Sequence, residues 1–372
     1  MNDKAQVGIQ FNWIFVILIG AVLLGFFFSF IFSSTSSNEK EVSATIARHF
    51  ETIITSTNQK IGTVKSYKIP LSELEFTCDN FQDVYQYSIG GVKAKDTKYE
   101  LIFSSKKLYG TRIYTWTEKW NIPYQVATFL YITNDKEHFS FIPLNNQLSS
   151  FEEELVDNFA TNISSSVANK TNSGDYENIP SSTMNMDKYT YVLIKKLSSN
   201  LPDPSTFIEV PKNKVSIIVL EPTREDLFDQ GNVYFFDYDK YKSFVSSTTQ
   251  ETNYDSMYLG KASLYAAIFA GNKERYVCGM NKALKKLKIV SEIQKYKILN
   301  ENQSIDSICR SHLIGDESID QLKGAIYFIE DIISQSQNGF SETTLTKIIA
   351  DINQLEKKNN EIIIEYQCPA IY

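Results

Sequence analysis

The sequence predicts a mixed α+β or α/β protein carried on an N-terminal transmembrane helix. Three observations predict it. From Trp13 to Phe32 twenty residues carry no charge, and only Ser29 interrupts their apolar character. Short runs of β-branched and aromatic residues then recur, separated by turn-prone or helix-like segments. Finally, apolar residues in about the last hundred positions repeat at three- and four-residue spacing, the period of helices that bury one face.

At about 1.5 Å rise per residue the apolar run spans about 30 Å, the hydrocarbon thickness of a bilayer. A secretory signal has a shorter apolar core of about 7 to 15 residues and a basic start. Here Asp3 offsets part of the charge of Lys4 and the terminal amine, so a retained anchor is expected. The serine-rich FSSTSS that follows is the alternative, a cleavage site. Gln10 and Asn12 sit beside Trp13 at the mouth of the span, at headgroup level. Ala21, Gly25 and Ser29 fall at i, i+4 and i+8, a small-residue stripe of the kind that lets membrane helices pack, or ordinary mixing on a lipid-facing helix.

Behind the anchor, no Pro or Gly separates Phe32 from Ile61, and Val42, Ile46, Phe50, Ile53 and Ile54 keep helical spacing. A stalk helix is expected over 35–60. TVKSYKIP, VYQYSIGG, YELIFSS and TRIYTWTEKW predict an antiparallel β-rich unit over 61–120. VATFLYIT (126–133) reads as a strand, LSSFEEELVDNFA (148–160) as a helix and 161–187 as an exposed loop. The near-continuous apolar runs at 189, 215 and 232, with a helix-like Arg224–Gln230, predict a parallel-sheet α/β core over 121–250. The remainder, 251–372, reads as mostly helical: Met257–Asn272, Lys273–Ile298, then a helical hairpin broken at Asn338-Gly339, with EIIIEY (361–366) as a last strand. Residues 1–34 hold the short leader and anchor.

Apolar residues make up 42% and aromatics 13%, enough for a sizeable core. Lys and Arg number 37 against 44 Asp and Glu; this net charge of −7 argues against a nucleic-acid partner. Cys78, Cys278, Cys309 and Cys368 include no CxxC spacing. They read as two disulfides or four buried thiols. Cys278 with Cys309, the nearest neighbours in sequence, is the expected pair, leaving Cys78 with Cys368; spacing leaves the connectivity open. The even cysteine count, the short N-terminal tail and the sequons at Asn162, Asn169 and Asn302 favour an extracellular position for the large domain. Lys4 on one flank, against Lys40 and Arg48 on the other, scarcely discriminates orientation.

A catalytic triad needs a base, and the chain has only His49, His138 and His312, none with a motif around it. No glycine-rich nucleotide loop is present, and Ile89-Gly90-Gly91 reads as a turn. Asp237-Tyr238-Asp239 ends an apolar strand, where α/β proteins place ligands, but paired carboxylates in a turn are more often solvated. Lys282, Lys285, Lys286, Lys288, Lys295 and Lys297 form a stripe that suits anionic lipid or a solvated face. No catalytic, cofactor or metal residue is assigned.

Two resemblances follow from these residues. Lys4-Ala5-Gln6-Val7-Gly8-Ile9 before the apolar run resembles the class III leader of archaeal type IV pilins and archaellins. It implies cleavage between Ala5 and Gln6 and a helix retained for assembly. Gln10 stands where many pilins carry Glu, and the leader would be five residues long. The KAQ…FNWIF opening, the Thr115–Thr133 block and the QCPAIY ending resemble uncharacterised archaeal single-pass membrane proteins. That likeness implies a cell-membrane location and no particular activity.

The expectation is a single-pass cell-surface protein with a binding or scaffolding domain, without catalysis. Its expected partners are membrane lipid, copies of itself through the transmembrane helix, and an extracellular partner the sequence does not identify. A minor pilin-like filament subunit and a membrane-tethered enzyme are the alternatives.

Overall fold

Successive side chains of a strand point to opposite faces, so a strand apolar on both faces serves two cores, and the first sheet is built that way. The computed structural model describes residues 16–29, 45, 50, 52, 62, 64–79, 84–90, 92–93, 101–143, 168–170, 186–195, 201–204, 210–224, 227–246, 255–301, 307–315 and 323–372. Strands β1 (Lys65–Asp79), β2 (Val84–Ile89), β3 (Val92–Lys93), β4 (Leu101–Ser104), β5 (Lys107–Asn121) and β6 (Gln125–Asn134) form a sheet in the order β3-β2-β1-β5-β6-β4. All its pairings are antiparallel except β4 with β6. Along β6, Leu130 and Ile132 join Phe76, Tyr87 and Ile113 on the outer face, whereas Phe129 and Tyr131 point into the main core. Phe50 closes the outer face, its ring 5.0 Å from that of Tyr87. Residues 45, 50 and 52 are helical; the rest of the expected stalk lies outside the described residues.

The second sheet comprises β7 (Glu137–Pro143), β8 (Ala168–Lys170), β9 (Lys188–Ile194), β10 (Val215–Arg224), β11 (Leu227–Asp237) and β12 (Ser256–Leu259), ordered β12-β11-β10-β9-β7-β8. Strands β8, β7, β9 and β10 are parallel, as the apolar runs predicted, but β11 and β12 run antiparallel. The helix expected at Arg224–Gln230 is a β-hairpin, with Arg224 paired to Leu227. Two residues join β10 to β11, whereas a parallel crossover needs a dozen or more. The expected helix at 148–160 lies outside the described residues.

Residues 16–29 form helix α1. Among the described residues no helix is long and apolar enough to cross a membrane; of the expected Trp13–Phe32 span, fourteen residues are described. Helix α2 (Tyr238–Ser246) covers the outer face of the second sheet, where Tyr241 is buried with Tyr191 and Ile217. Helix α3 (Gly260–Ala270) lies between the sheets, with every residue from Ala262 to Ala270 buried. It is fixed by polar groups with apolar bodies: Trp120 Nε1 donates to the Leu259 carbonyl (2.7 Å) and Tyr131 hydroxyl to that of Ala262 (2.8 Å). Met257, expected in this helix, belongs to β12 instead, because Ser256–Leu259 pairs along β11 and the positive φ of Gly260 redirects the chain.

Helix α4 (Lys273–Glu301) presses on β4 at Gly279, where a Cβ would stand 2.4 Å from Phe103 Cε1. Helices α5 (Ser307–Ile314), α6 (Ala325–Ser336) and α7 (Glu342–Ile364) complete the chain, α6 and α7 as the expected hairpin. Gly339 turns at φ +77°, and Ser341 caps α7 by accepting from Thr344 N–H. EIII is the last turn of α7 rather than a strand, with Glu365 as its C-cap, since Leu355, Asn359 and Ile362 continue its buried stripe. The core around α3 draws on residues from Leu101 to Ile371, so the expected boundaries at 120 and 250 do not separate independent cores.

All four cysteines form disulfides, with a different pairing from the one expected: Cys78 to Cys278 and Cys309 to Cys368. Sequence proximity misled because Cys278 lies near the start of α4, which then runs about 35 Å away before the chain can reach Cys309.

Candidate functional site

The residue types that make a ligand site meet at the far end of α4. The β5–β6 connection, Asn121 to Gln125, contains a cis Ile122–Pro123 bond and turns through a hydrogen bond from Ile122 N to Tyr124 O (2.8 Å). This points the Tyr124 ring inward, where its hydroxyl bonds Ser291 of α4. Burial pushes the Tyr124 phenol up to about 12, against the opposing hydrogen bond from Ser291. Gln294 and Lys297 follow on α4 about one and two turns later.

The opposite wall is the tail after α7. The Cys309–Cys368 disulfide fastens it to α5, and Ile371 N–H donates to Asn359 Oδ1 (2.8 Å). The Tyr372 ring then meets that of Tyr124 edge to face, centroids 5.8 Å apart. Burial raises the Tyr372 phenol to about 12, with Glu356 and Tyr124 adding to the shift. Between these walls lies a cleft of about 590 Å3. Its floor is apolar: Tyr124, Ile298, Leu313 and Ile371, all buried. Its rim carries Asn121, Gln125, Gln294 and Lys297, whose side chains form no hydrogen bond or ion pair with another described residue. An apolar floor under a few convergent polar groups is the usual make-up of a small-molecule site.

A second polar group lies between the sheets. Lys188 donates to Ser105 Oγ (2.7 Å) and stands 3.9 Å from Glu137 Oε1, while Thr133 hydroxyl donates to Glu137 Oε2 (2.8 Å). Burial lowers the Lys188 pKa, opposed by Glu137 and reinforced by Arg275. A serine hydroxyl beside a lysine with lowered pKa has the composition of a nucleophile and its base. Ser105, however, is 3% exposed, which closes its oxygen to a substrate. The cluster serves instead to tie β6, β7, β9 and the residue after β4 together.

Asp237 and Asp239 do not converge on a ligand. The Asp237 carboxylate accepts from Lys240 N–H (2.8 Å) and caps α2, and Asp239 is exposed in its first turn. His138 is buried beside the Tyr189 ring, and the His312 ring packs tilted against that of Tyr366 with centroids 4.0 Å apart. His49 lies outside the described residues. The lysine stripe is not one face: Lys282 is buried, Lys288 and Lys295 pair with Glu292 and Glu330, and Lys297 reaches the cleft. Ala21, Gly25 and Ser29 are exposed on α1. Asn169 is on β8; Ala5, Gln6, Asn162 and Asn302 lie outside the described residues.

Sequence reasoning missed the cleft because it joins four segments far apart in the chain, none a motif. No family model, curated protein or solved structure matches the chain.

Proposed function

We propose that the chain is a membrane-anchored surface protein whose large outer domain binds a ligand at the α4 cleft and carries out no reaction. The observation that carries it is helix α1. Val16 is 66% and Phe26 63% exposed, on a helix without a single charge whose apolar side chains are exposed along its length, while the body of the chain gathers most of its apolar residues into three cores and exposes others singly or in short stretches. Such a helix in water is an aggregation hazard, and lipid removes the hazard. Extended by sequence to Trp13–Phe32, it reaches the length of a bilayer span. Two disulfides in the body favour an oxidising compartment, hence the outer side.

The test is membrane fractionation of cells producing the full chain. Retention in the membrane after alkaline carbonate, with the body shaved by external protease, is the expected result. Release by carbonate, or protection of the body until cells are lysed, overturns it. A filament subunit is the second reading, favoured by Ala21, Gly25 and Ser29 lying exposed on α1, where close helix packing needs small residues. A mature chain beginning at Gln6 would select that reading, and one beginning at Met1 would exclude it.

A further inference from the structure

We propose that the cleft between α4 and the C-terminal tail is a saccharide site selective for acidic sugars; this deepens the ligand-binding role above and rests on it. Three of the four rim groups are carboxamides, Asn121, Gln125 and Gln294. A carboxamide presents a donor and an acceptor side by side, and vicinal sugar hydroxyls do the same. A fatty chain or aromatic hydrocarbon would strip water from these three amides without replacing their hydrogen bonds, which costs affinity. The fourth rim group, Lys297, carries the one charged side chain among the described residues lining the cleft and is exposed, so it meets a carboxylate without a large desolvation cost.

The apolar side of a sugar ring also has a surface to rest on. Tyr372 is 38% exposed at the edge of the cleft, its ring held upright by the edge-to-face contact with Tyr124. Pro123 and Pro369 line the same cleft with rigid rings that carry no N–H donor. A volume of about 590 Å3 falls in the range of small-ligand sites and admits a disaccharide. The wall that bears Tyr372 is covalently fastened through Cys368, so little ordering is left to be done on binding.

The test is titration calorimetry on the full chain in detergent, with digalacturonic acid, uncharged galactobiose and an N-acetylated acidic dipeptide amide as probes. Digalacturonic acid is expected to bind more tightly than galactobiose, and the dipeptide not at all. Lys297→Gln is expected to weaken digalacturonic acid about tenfold and leave galactobiose unchanged. Gln294→Ala is expected to weaken both sugars. Both side chains lie outside the core, so thermal melting reports whether the fold is kept. Absence of sugar binding, equal binding of the dipeptide, or an unchanged Lys297→Gln affinity overturns the proposal. These outcomes are independent of fractionation: a membrane-retained chain that ignores sugars sinks the saccharide site alone, and a sugar-binding chain released by carbonate sinks the anchor alone.

Discussion

Glu137 and Lys188 stand directly opposite one another on adjacent parallel strands, their charges 3.9 Å apart between the two sheets. Each also bonds a hydroxyl, Thr133 for the carboxylate and Ser105 for the amine. Removing one partner leaves the other charged and poorly solvated. Lys188→Met is therefore expected to cost about 3–5 kcal/mol in urea unfolding. Adding Glu137→Leu removes the stranded carboxylate and should recover most of that loss, short of about 1 kcal/mol per abandoned hydroxyl bond. A double variant as unstable as the single one would assign the effect to packing.

The two disulfides close loops of different length. Cys78–Cys278 spans 200 residues and Cys309–Cys368 spans 59. Loop-closure entropy puts their removal at about 5 and about 4 kcal/mol. Paired Cys→Ser variants are expected to lower the unfolding midpoint in that order. In the Cys309→Ser, Cys368→Ser variant the Ile371 amide should also exchange faster with deuterium, because the tail loses its fastening beside the Asn359 bond.

Alkaline pH should unfold the chain through its tyrosines. Burial raises Tyr124 to about 12 and Tyr372 to about 12 and pushes Tyr131, Tyr258 and Tyr276 further in the same direction. The unfolded chain ionises these phenols near their ordinary value of 10.0, and the folded chain does not. Their contribution is thus fully present below pH 10 and is lost as pH rises through about 12. Lys188 works the other way, since its lowered pKa makes the fold gain stability as pH rises toward 10.5. Five phenols outweigh one amine. The part of the tyrosinate absorbance that belongs to these five of the 22 tyrosines should accordingly rise in one cooperative step together with loss of near-ultraviolet circular dichroism.

Asp351 on α7 is raised to about 6, first by burial and second by Asp331 of α6. A carboxyl raised in the fold contributes stability below its ordinary 3.8 that is lost as pH climbs through about 6. Asp351→Asn is expected to raise the melting temperature at pH 7 and to have no such benefit at pH 3.5. A gain of the same size at both would point to helix propensity instead.

Gly279→Ala sets two effects against each other. Alanine favours a helix interior by about 1 kcal/mol. The new methyl would stand 2.4, 2.9 and 3.1 Å from atoms of the Phe103 ring, which is 1% exposed and has nowhere to turn. Overpacking costs about 1–3 kcal/mol and should win, giving a net loss of about 1 kcal/mol. Phe103→Leu added to Gly279→Ala should return part of it.

Much of the fold could be read from residue patterns. The runs at 189, 215 and 232 were visible as strands because both faces of that sheet are covered, by α3 on one side and α2 on the other. Direction was not visible: strand periodicity is the same whether β11 returns as a hairpin or arrives by a crossover. The Ile362-Ile363-Ile364 run looked like a strand by propensity, yet Ile362 extends a buried helical stripe while Ile363 and Ile364 are exposed; packing overrode composition. The cleft left no trace in sequence, since Tyr124 and Tyr372 meet across 248 positions only after the tail folds back.

Helix α1 precedes β1, and β1 reaches Cys78 near its end. If the proposed anchor holds, tension applied through it would load the ladder between β1 and β5 first. At Cys78 the force passes instead into α4 through a covalent link, at the helix turn where Gly279 packs on Phe103 of β4. The crosslink therefore acts as a mechanical stop: β1 can be stripped only as far as residue 78, and the layers beyond it, with the cleft at the other end of α4, stay assembled while the tether is under tension.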